Sequence, residues 1–316
     1  MDAVAMGELL IDFACVGVDG QGYPTMAAHP GGAPANWLSV LQRFGAKTAM
    51  IGKVGTDAFG EMLINTLKNE GICTQSIVSA DDVFTTLAFV TFDQSNDRHF
   101  SFARKPGADT RLCMEEMPLH LIDEARVFHF GSLSLTDEPV RSATKYAVSY
   151  ARNKGALISF DPNLRKPLWN SLSVAKEQIV WGLEQSDVLK ISDDEVSFLF
   201  GDMPYREAAE RILTDFNVKL VYITLGKNGC ITANKNGMIA CECYDAGSVI
   251  DTTGAGDIFG GSAMWAVLQK GKQPEELHVT ELEEITRFAS VVAGISTTSQ
   301  GGISSIPELP DVLGRL

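Results

Sequence analysis

The strongest chemical signal in the sequence is a run of small residues bounded by acids. Residues 251–257 read Asp-Thr-Thr-Gly-Ala-Gly-Asp, and an apolar stretch typical of a helix follows. We expect a strand to end near Ile250 and a helix to follow Gly256. The first N–H groups of a helix have no intrahelical partner and carry partial positive charge, so small residues there let a phosphate approach. The pattern therefore predicts phosphoryl-transfer chemistry, with Asp257 accepting a proton from an attacking hydroxyl.

A second segment is suited to binding hydroxyl groups. Residues 31–36 read Gly-Gly-Ala-Pro-Ala-Asn and also open a predicted helix. Adjacent glycines permit close approach of the backbone to a ligand, and the Asn36 side chain both donates and accepts hydrogen bonds. Taken alone, each of the two segments has a plain alternative, which is an ordinary helix start or turn.

The elements that must position these segments alternate between strand and helix. Because strands separated by helices pair in parallel, the pattern predicts an α/β fold with a doubly wound, mostly parallel sheet. Such sheets bind ligands beyond the carboxyl ends of their strands. The predicted strands are 4–10, 48–54, 127–130, 157–161, 188–191 and 220–224, and the predicted helices are 35–44, 59–69, 138–153, 206–215, 258–269 and 285–298.

Two stretches break this alternation. Residues 84–92 and 99–104 form two β-like runs around a polar turn at 93–97, and the glycine-rich residues 13–28 have no helical period. We expect a small antiparallel sheet of residues 13–32 and 84–104, apart from a core of residues 1–12, 33–83 and 105–316. It is either an ordinary surface hairpin or a lid that excludes water from the site.

Together the two segments resemble the paired signatures of the ribokinase-like (PfkB) carbohydrate kinase family. The first signature continues through Gly45, Gly55 and residues 57–60, and the second is 251–257. Residues 7–12, 102–109, 161–165 and 190–195 are similar to fructokinase-type members, so the resemblance covers nearly the whole chain. It implies a ribokinase-like fold and ATP-dependent phosphorylation of D-fructose at O6. Phosphorylation of 2-keto-3-deoxygluconate or ribose, or a catalytically silent sugar-binding module, stays open.

The resemblance also implies roles for individual residues. Asp257 is expected to be the base that activates the primary hydroxyl of the sugar. The other assignments fall into three groups. They are Gly254, Ala255 and Gly256 for the anion hole; Asp12, Gly32, Asn36, Arg104 and Arg165 for sugar binding, with Arg104 arriving from the lid; and Lys190, Ser192, Thr224, Gly226 and Gly229 for the nucleotide.

The same resemblance implies ion sites and an adenine site. Glu195 is expected to hold Mg²⁺ through water, and Asp251 with Thr253 to form a monovalent-cation site for K⁺. Residues 285–303 resemble the adenine-binding wall. Three positions depart from the family pattern: Ser192 replaces an asparagine, Gly302 stands where alanine is frequent, and Ser262 stands where alanine or glycine is usual.

Composition and absent motifs exclude other function classes. A formal charge of -14 over 316 residues does not suit a nucleic-acid or anionic-membrane surface. No apolar window is long enough for a membrane span, and no Walker loop or GxGxxG fingerprint is present. The six scattered cysteines predict reduced thiols and a cytoplasmic location. An exposed lid sheet would have edges and an apolar face to cover, which favours a homodimer through the lid.

Overall fold

The computed structural model describes residues 1–92 and 98–316, and within them the chain forms two sheets flanked by helices. The strands are β1 (Ala3–Met6), β2 (Leu10–Val18), β3 (Pro24–Gly31), β4 (Thr48–Gly55), β5 (Ile77–Ala80), β6 (Thr86–Phe92), β7 (Arg98–Ala103), β8 (Val127–Gly131), β9 (Leu157–Asp161), β10 (Val188–Ser192), β11 (Leu220–Thr224), β12 (Cys230–Asn234) and β13 (Gly237–Cys241). The helices are α1 (Ala33–Arg43), α2 (Ala58–Asn69), α3 (Leu119–Ile122), α4 (Val140–Asn153), α5 (Leu172–Gln185), α6 (Asp193–Phe200), α7 (Tyr205–Asp215), α8 (Ala255–Lys270), α9 (Val279–Ser296) and α10 (Leu309–Leu313).

The main sheet confirms the predicted doubly wound architecture. Its order is β13-β12-β11-β10-β9-β8-β1-β4-β5, parallel except where β12 pairs with β11 and β13. Successive residues of β1 face opposite layers: Ala3 and Ala5 pack in a core with α1, α8 and α9, whereas Val4 and Met6 pack in a core with α4 to α7. Burial on both faces explains why the central strands are apolar throughout instead of alternating.

The predicted small sheet is present as a separate sheet with the order β3-β2-β6-β7. Its outer pairs are antiparallel, and its central pair, β2 with β6, is parallel. The prediction of one strand over 4–10 is wrong, because β1 ends at Met6 and β2 starts in the second sheet at Leu10, before the predicted boundary at residue 13. The break falls at Gly7, where a Cβ would lie 2.7 Å from the Pro34 ring.

The chain before α8 also differs from the prediction. No strand ends near Ile250; residues 242–254 are irregular, and α8 begins at Ala255, before Gly256. The predicted turn at 93–97 lies outside the described residues. Among the described helices, none has the length and apolar character that crossing a membrane requires.

Candidate active site

Asp257 is held by two side-chain amides from other parts of the fold. Asn36 on α1 donates from Nδ2 to Oδ2 at 2.9 Å, and Asn163, in the loop after β9, donates from Nδ2 to Oδ1 at 3.1 Å. One donor on each oxygen fixes the plane of the carboxylate and leaves each oxygen a further lone pair. The arrangement suits a base that accepts a proton from a hydroxyl brought to it.

The backbone before Asp257 opens the helix for an anion. Gly254 has φ +75°, a left-handed conformation that favours glycine, and its carbonyl accepts the N–H of Ile258 at 2.8 Å. The N–H of Ala255 donates to the Thr252 carbonyl at 3.3 Å. The backbone N–H groups that α8 offers to a ligand are therefore those of Gly256 and Asp257. Ala255, whose N–H is occupied, helps only because its small side chain does not block the ligand.

Asn163 is a site residue that the sequence analysis did not assign. Its φ is +45°, a conformation that asparagine tolerates, and its backbone N–H donates to Asp161 Oδ1 at 3.2 Å. This turn at the carboxyl end of β9 directs the amide toward Asp257. An asparagine two residues beyond a buried strand was the available signal, but turn formation explains such a residue equally well.

A buried cation lies among the acidic groups. Lys190 Nζ is 3.1 Å from Asp161 Oδ2, and the carboxylates of Asp161, Glu195 and Asp257 hold the pKa of Lys190 above its ordinary value against the cost of burial. Burial raises the pKa of Asp257, whereas the Asn36 amide, Lys190 and Arg165 oppose that rise. Asp257 is thus a stronger base than an exposed aspartate while its charge remains stabilised.

Of the predicted sugar-binding residues, Asn36 donates to Asp257, and Asp12 and Arg165 lie near enough to interact with its charge, while Gly32 is the N-cap of α1. Asp12 on β2 packs against Gly31, and burial raises its pKa to about 7, with Arg165 opposing the rise and Asp257 adding to it. Gly32 has φ +114°, and a Cβ there would overlap the Glu8 carbonyl. The small sheet therefore contributes a carboxylate to the site through Asp12.

Arg104 does not join this group, contrary to the expectation. It is buried, its Nη2 pairs with Asp109 Oδ2 at 2.7 Å, and it donates to Thr136 Oγ1 at 2.8 Å and to the Leu133 carbonyl at 2.9 Å. These partners all belong to the core. Since they occupy most of its N–H donors, Arg104 fastens the end of β7 to the core, and its described contacts do not include Asp12 or Asp257.

The predicted nucleotide residues fall into two sets. Thr224, Gly226 and Gly229 line a cavity of about 550 Å³ that reaches Ala255 and Gly256. Lys190 and Ser192 are not among the described residues that line it. Ser192 instead caps α6: its Oγ accepts the Glu195 N–H at 3.3 Å, and its own N–H donates to Glu195 Oε2 at 2.8 Å.

The helix of the predicted adenine wall lines the cavity, and the loop of that prediction is not among the described lining residues. The cavity wall includes Ser290, Ala293 and Gly294 of α9, and residues 243–247, which the sequence analysis did not assign. The loop at 299–303 lies outside the cavity and contacts Asp251 and Asn36. There, Gly301 N–H donates to Asp251 Oδ2 at 3.0 Å, and a Cβ on Gly302 would overlap the Asn36 amide, so the departure from alanine leaves room for Asn36.

The residues expected at ion sites have partners of their own. Glu195 is buried and accepts from the Leu164 N–H at 2.7 Å as well as from Ser192, while Asp251 Oδ1 accepts the Thr253 N–H and hydroxyl. In the described part of the chain, no group of three or more His, Cys, Asp or Glu side chains could hold a metal. A lone carboxylate with spare lone pairs fits Mg²⁺, which keeps waters and takes oxygens from the phosphates of its substrate.

Comparison with known proteins identifies the family to which this site belongs. Residues 2–309 match the family described as pfkB family carbohydrate kinase. The chain belongs to the pfkB family of carbohydrate kinases. It is 39% identical over 315 residues to fructokinase-2 of Solanum lycopersicum, covering 99% of this chain and 95% of that protein.

Solved structures of related kinases agree with the family fold. A Xylella fastidiosa fructokinase with bound ATP superposes with a TM-score of 0.90 at 27% identity, covering 99% of this chain and 97% of that one. A fructokinase double mutant from Vibrio cholerae O395, with fructose, ADP and potassium ion bound, gives a TM-score of 0.87 at 28% identity over 99% and 98% of the two chains. The predicted family and fold are confirmed.

Proposed function

We propose that this pfkB-family kinase transfers the γ-phosphoryl group of ATP to O6 of D-fructose. The observation that carries the proposal is the Asp257 carboxylate, held by Asn36 and Asn163 at the N-terminus of α8. It lies where the Asp12 side of the site meets the cavity of about 550 Å³. Similarity to fructokinases over nearly the full length supports fructose over ribose and 2-keto-3-deoxygluconate.

In this mechanism Asp257 accepts the proton of the O6 hydroxyl as O6 attacks the γ-phosphorus. The new P–O6 bond forms while the bond from the γ-phosphorus to the oxygen that bridges it to ADP breaks, and the bond's electron pair leaves with ADP. The N–H groups of Gly256 and Asp257 stabilise the charge on the transferred group. Asp12 and the side-chain Oδ1 of Asn36 accept hydrogen bonds from sugar hydroxyls, and Arg165 balances the nearby negative charge.

Ions complete the proposed site. Glu195 would hold Mg²⁺ through water, and the metal would neutralise charge on the ATP phosphates. Asp251 and Thr253 would belong to a K⁺ site, where their turn is tied to the loop at 299–303. We further propose a cytoplasmic enzyme that forms a homodimer through the small sheet, which exposes Val18 and Tyr23.

An ADP-release assay with Mg-ATP tests the substrate assignment. We expect kcat/KM for fructose to exceed that for ribose and 2-keto-3-deoxygluconate by about tenfold or more, which is roughly 1.4 kcal/mol of discrimination. Preference for one of the other sugars would overturn the assignment to fructose and keep the mechanism. Sugar binding without turnover would instead favour a silent sugar-binding module.

The Asp257→Asn variant tests the mechanism itself. Because asparagine cannot accept the O6 proton, kcat should fall by roughly 10²–10⁴ while fructose binding changes little. An active variant would remove Asp257 from the reaction.

A further inference from the structure

Lys190 lies beneath the first turn of α8, on the side of the main sheet. The register of β10 places it beside Tyr222 on β11, and Asp161, the last residue of β9, is its neighbour on the other side. The side chains of Lys190 and Asp161 are only 12% and 7% exposed, and the Nζ–Oδ2 distance between them is 3.1 Å. The ammonium group is therefore fixed in place by the sheet.

Gly256 leaves the room that this ammonium group needs. A Cβ on Gly256 would lie 3.0 Å from Lys190 Nζ, so the cation sits directly under a residue whose N–H is offered to the transferred phosphoryl group. A positive charge at the positive end of a helix is unfavourable unless anions offset it. Asp161, Glu195 and Asp257 supply that compensation, and the fold thereby holds a cation next to the anion hole.

We propose that Lys190 is a positioning residue for phosphoryl transfer, whose charge stabilises the Asp257 carboxylate and strengthens the anion hole at Gly256, and that it contributes to kcat rather than to nucleotide affinity. This inference rests on the proposed role of Asp257 as base. It differs from the expectation that Lys190 binds the nucleotide, and the described residues that line the cavity of about 550 Å³ do not include Lys190.

No other cation beneath α8 takes this role among the described residues. His129 is buried, stacks on Trp37 with ring centroids 4.2 Å apart, and has its pKa lowered to about 3 by burial and by Lys190, so it is neutral. The remaining charged groups that act on Asp257 are Arg165, on the sugar side, and the carboxylates of Glu195, Asp161 and Asp12. If Lys190 is removed, Arg165 is the main positive charge that remains to compensate these carboxylates.

The Lys190→Met variant tests the proposal, since methionine keeps an unbranched side chain without the charge. At saturating substrates kcat should fall about 10²-fold or more, as when one stabilising group is lost from an anion hole. The acid limb of the pH profile of kcat/KM should move to higher pH by roughly one unit or more, because Asp257 loses a favourable neighbour. The dissociation constant of Mg-ATP, measured by calorimetry, should stay within about threefold.

A second variant separates the effect of the Lys190 charge on catalysis from its effect on the stability of the fold. Lys190→Met leaves Asp161 buried without its partner and is expected to lower Tm. The double variant Asp161→Asn, Lys190→Met removes both charges and should regain most of that Tm without regaining kcat.

Three results would overturn the proposal: nucleotide binding weakened tenfold or more with kcat unchanged, an unmoved pH profile, or activity restored in the double variant. Asp257→Asn, assayed in parallel, separates the two hypotheses. If that variant is inactive while Lys190→Met is fully active, the role of Lys190 fails alone; if Asp257→Asn is active, the proposed function fails with it.

Discussion

The Asp12 carboxylate should lower the stability of the protein while it serves substrate binding. In the described part of the chain it accepts no hydrogen bond, and burial raises its pKa from 3.8 to about 7. A carboxyl with a raised pKa in the folded state contributes most stability below its unfolded pKa, and that contribution is lost as pH rises through the folded pKa. For Asp12 the loss falls between about pH 4 and pH 7.

The size of the effect follows from the same shift. At about 1.36 kcal/mol for each pH unit, a rise from 3.8 to about 7 corresponds to at most roughly 4 kcal/mol. Asp12 is only partly buried, so solvent screens its charge and we expect about 1–2 kcal/mol, or roughly 2–3 °C in Tm. Asp12→Asn should therefore be more stable than the parent chain at pH 8, and by a larger margin than at pH 5.5.

The same variant should use fructose poorly, because it replaces a charged acceptor by a neutral amide. A hydrogen bond to a charged group contributes about 1.5–3 kcal/mol, so kcat/KM for fructose should fall roughly 10–100-fold with the affinity for ATP unchanged. Thermal unfolding at the two pH values and steady-state kinetics measure both effects. Asp202→Asn, at an exposed position, is the matched control and should alter neither.

A variant of Asp12 that is no more stable at pH 8 than at pH 5.5, relative to the parent, would refute the electrostatic argument. Unchanged kinetics for fructose would remove Asp12 from the sugar site.

Three further predictions concern neighbouring features. Asn163→Gly keeps the left-handed backbone and removes the amide from Asp257, so kcat should fall about tenfold or more with little change in Tm, and equal activity would show that the amide is dispensable. Gly302→Ala should displace Asn36 and lower kcat/KM by a similar factor, and normal kinetics would mean that the loop yields. Val18→Asp should shift sedimentation toward monomer if the small sheet forms the dimer, and an unchanged species would locate any dimer elsewhere.

Much of the fold could be predicted from the sequence because its signals are local. The buried strands are short runs rich in β-branched residues, namely β4, β8, β9, β10 and β11. In the helices between them apolar residues recur at helical spacing, so the alternation of strand and helix predicts the parallel sheet. The split between β1 and β2 could not be predicted in this way. Apolar residues stand on both sides of Gly7 and Glu8, and nothing in this local pattern shows that the chain changes sheet there, where Gly7 packs against Pro34, a residue distant in sequence.

The site residues also differ in how far the sequence could predict their contacts. Asp257 and Asn36 lie in motifs that are contiguous in sequence, and the structure joins them by a hydrogen bond across 221 residues. Ser192, Arg104 and Lys190 were assigned by resemblance alone, and their contacts are those of a helix cap, an anchor at the end of β7 and a buried ion pair. Such contacts depend on which groups the fold brings near a side chain, and a motif does not carry that information.

The sequence signal at Asn163 is visible but has two explanations. An asparagine at the end of a strand predicts a turn, and the structure has that turn, with φ +45° and an Asx-type bond to Asp161. What the sequence could not predict is that the turn directs the Asn163 amide to one oxygen of Asp257 while Asn36 holds the other. Asn163 therefore has two roles, since it adopts the left-handed turn and it donates to a distant carboxylate. Asn163→Gly keeps the turn and removes only the contact with Asp257, so it separates these two roles.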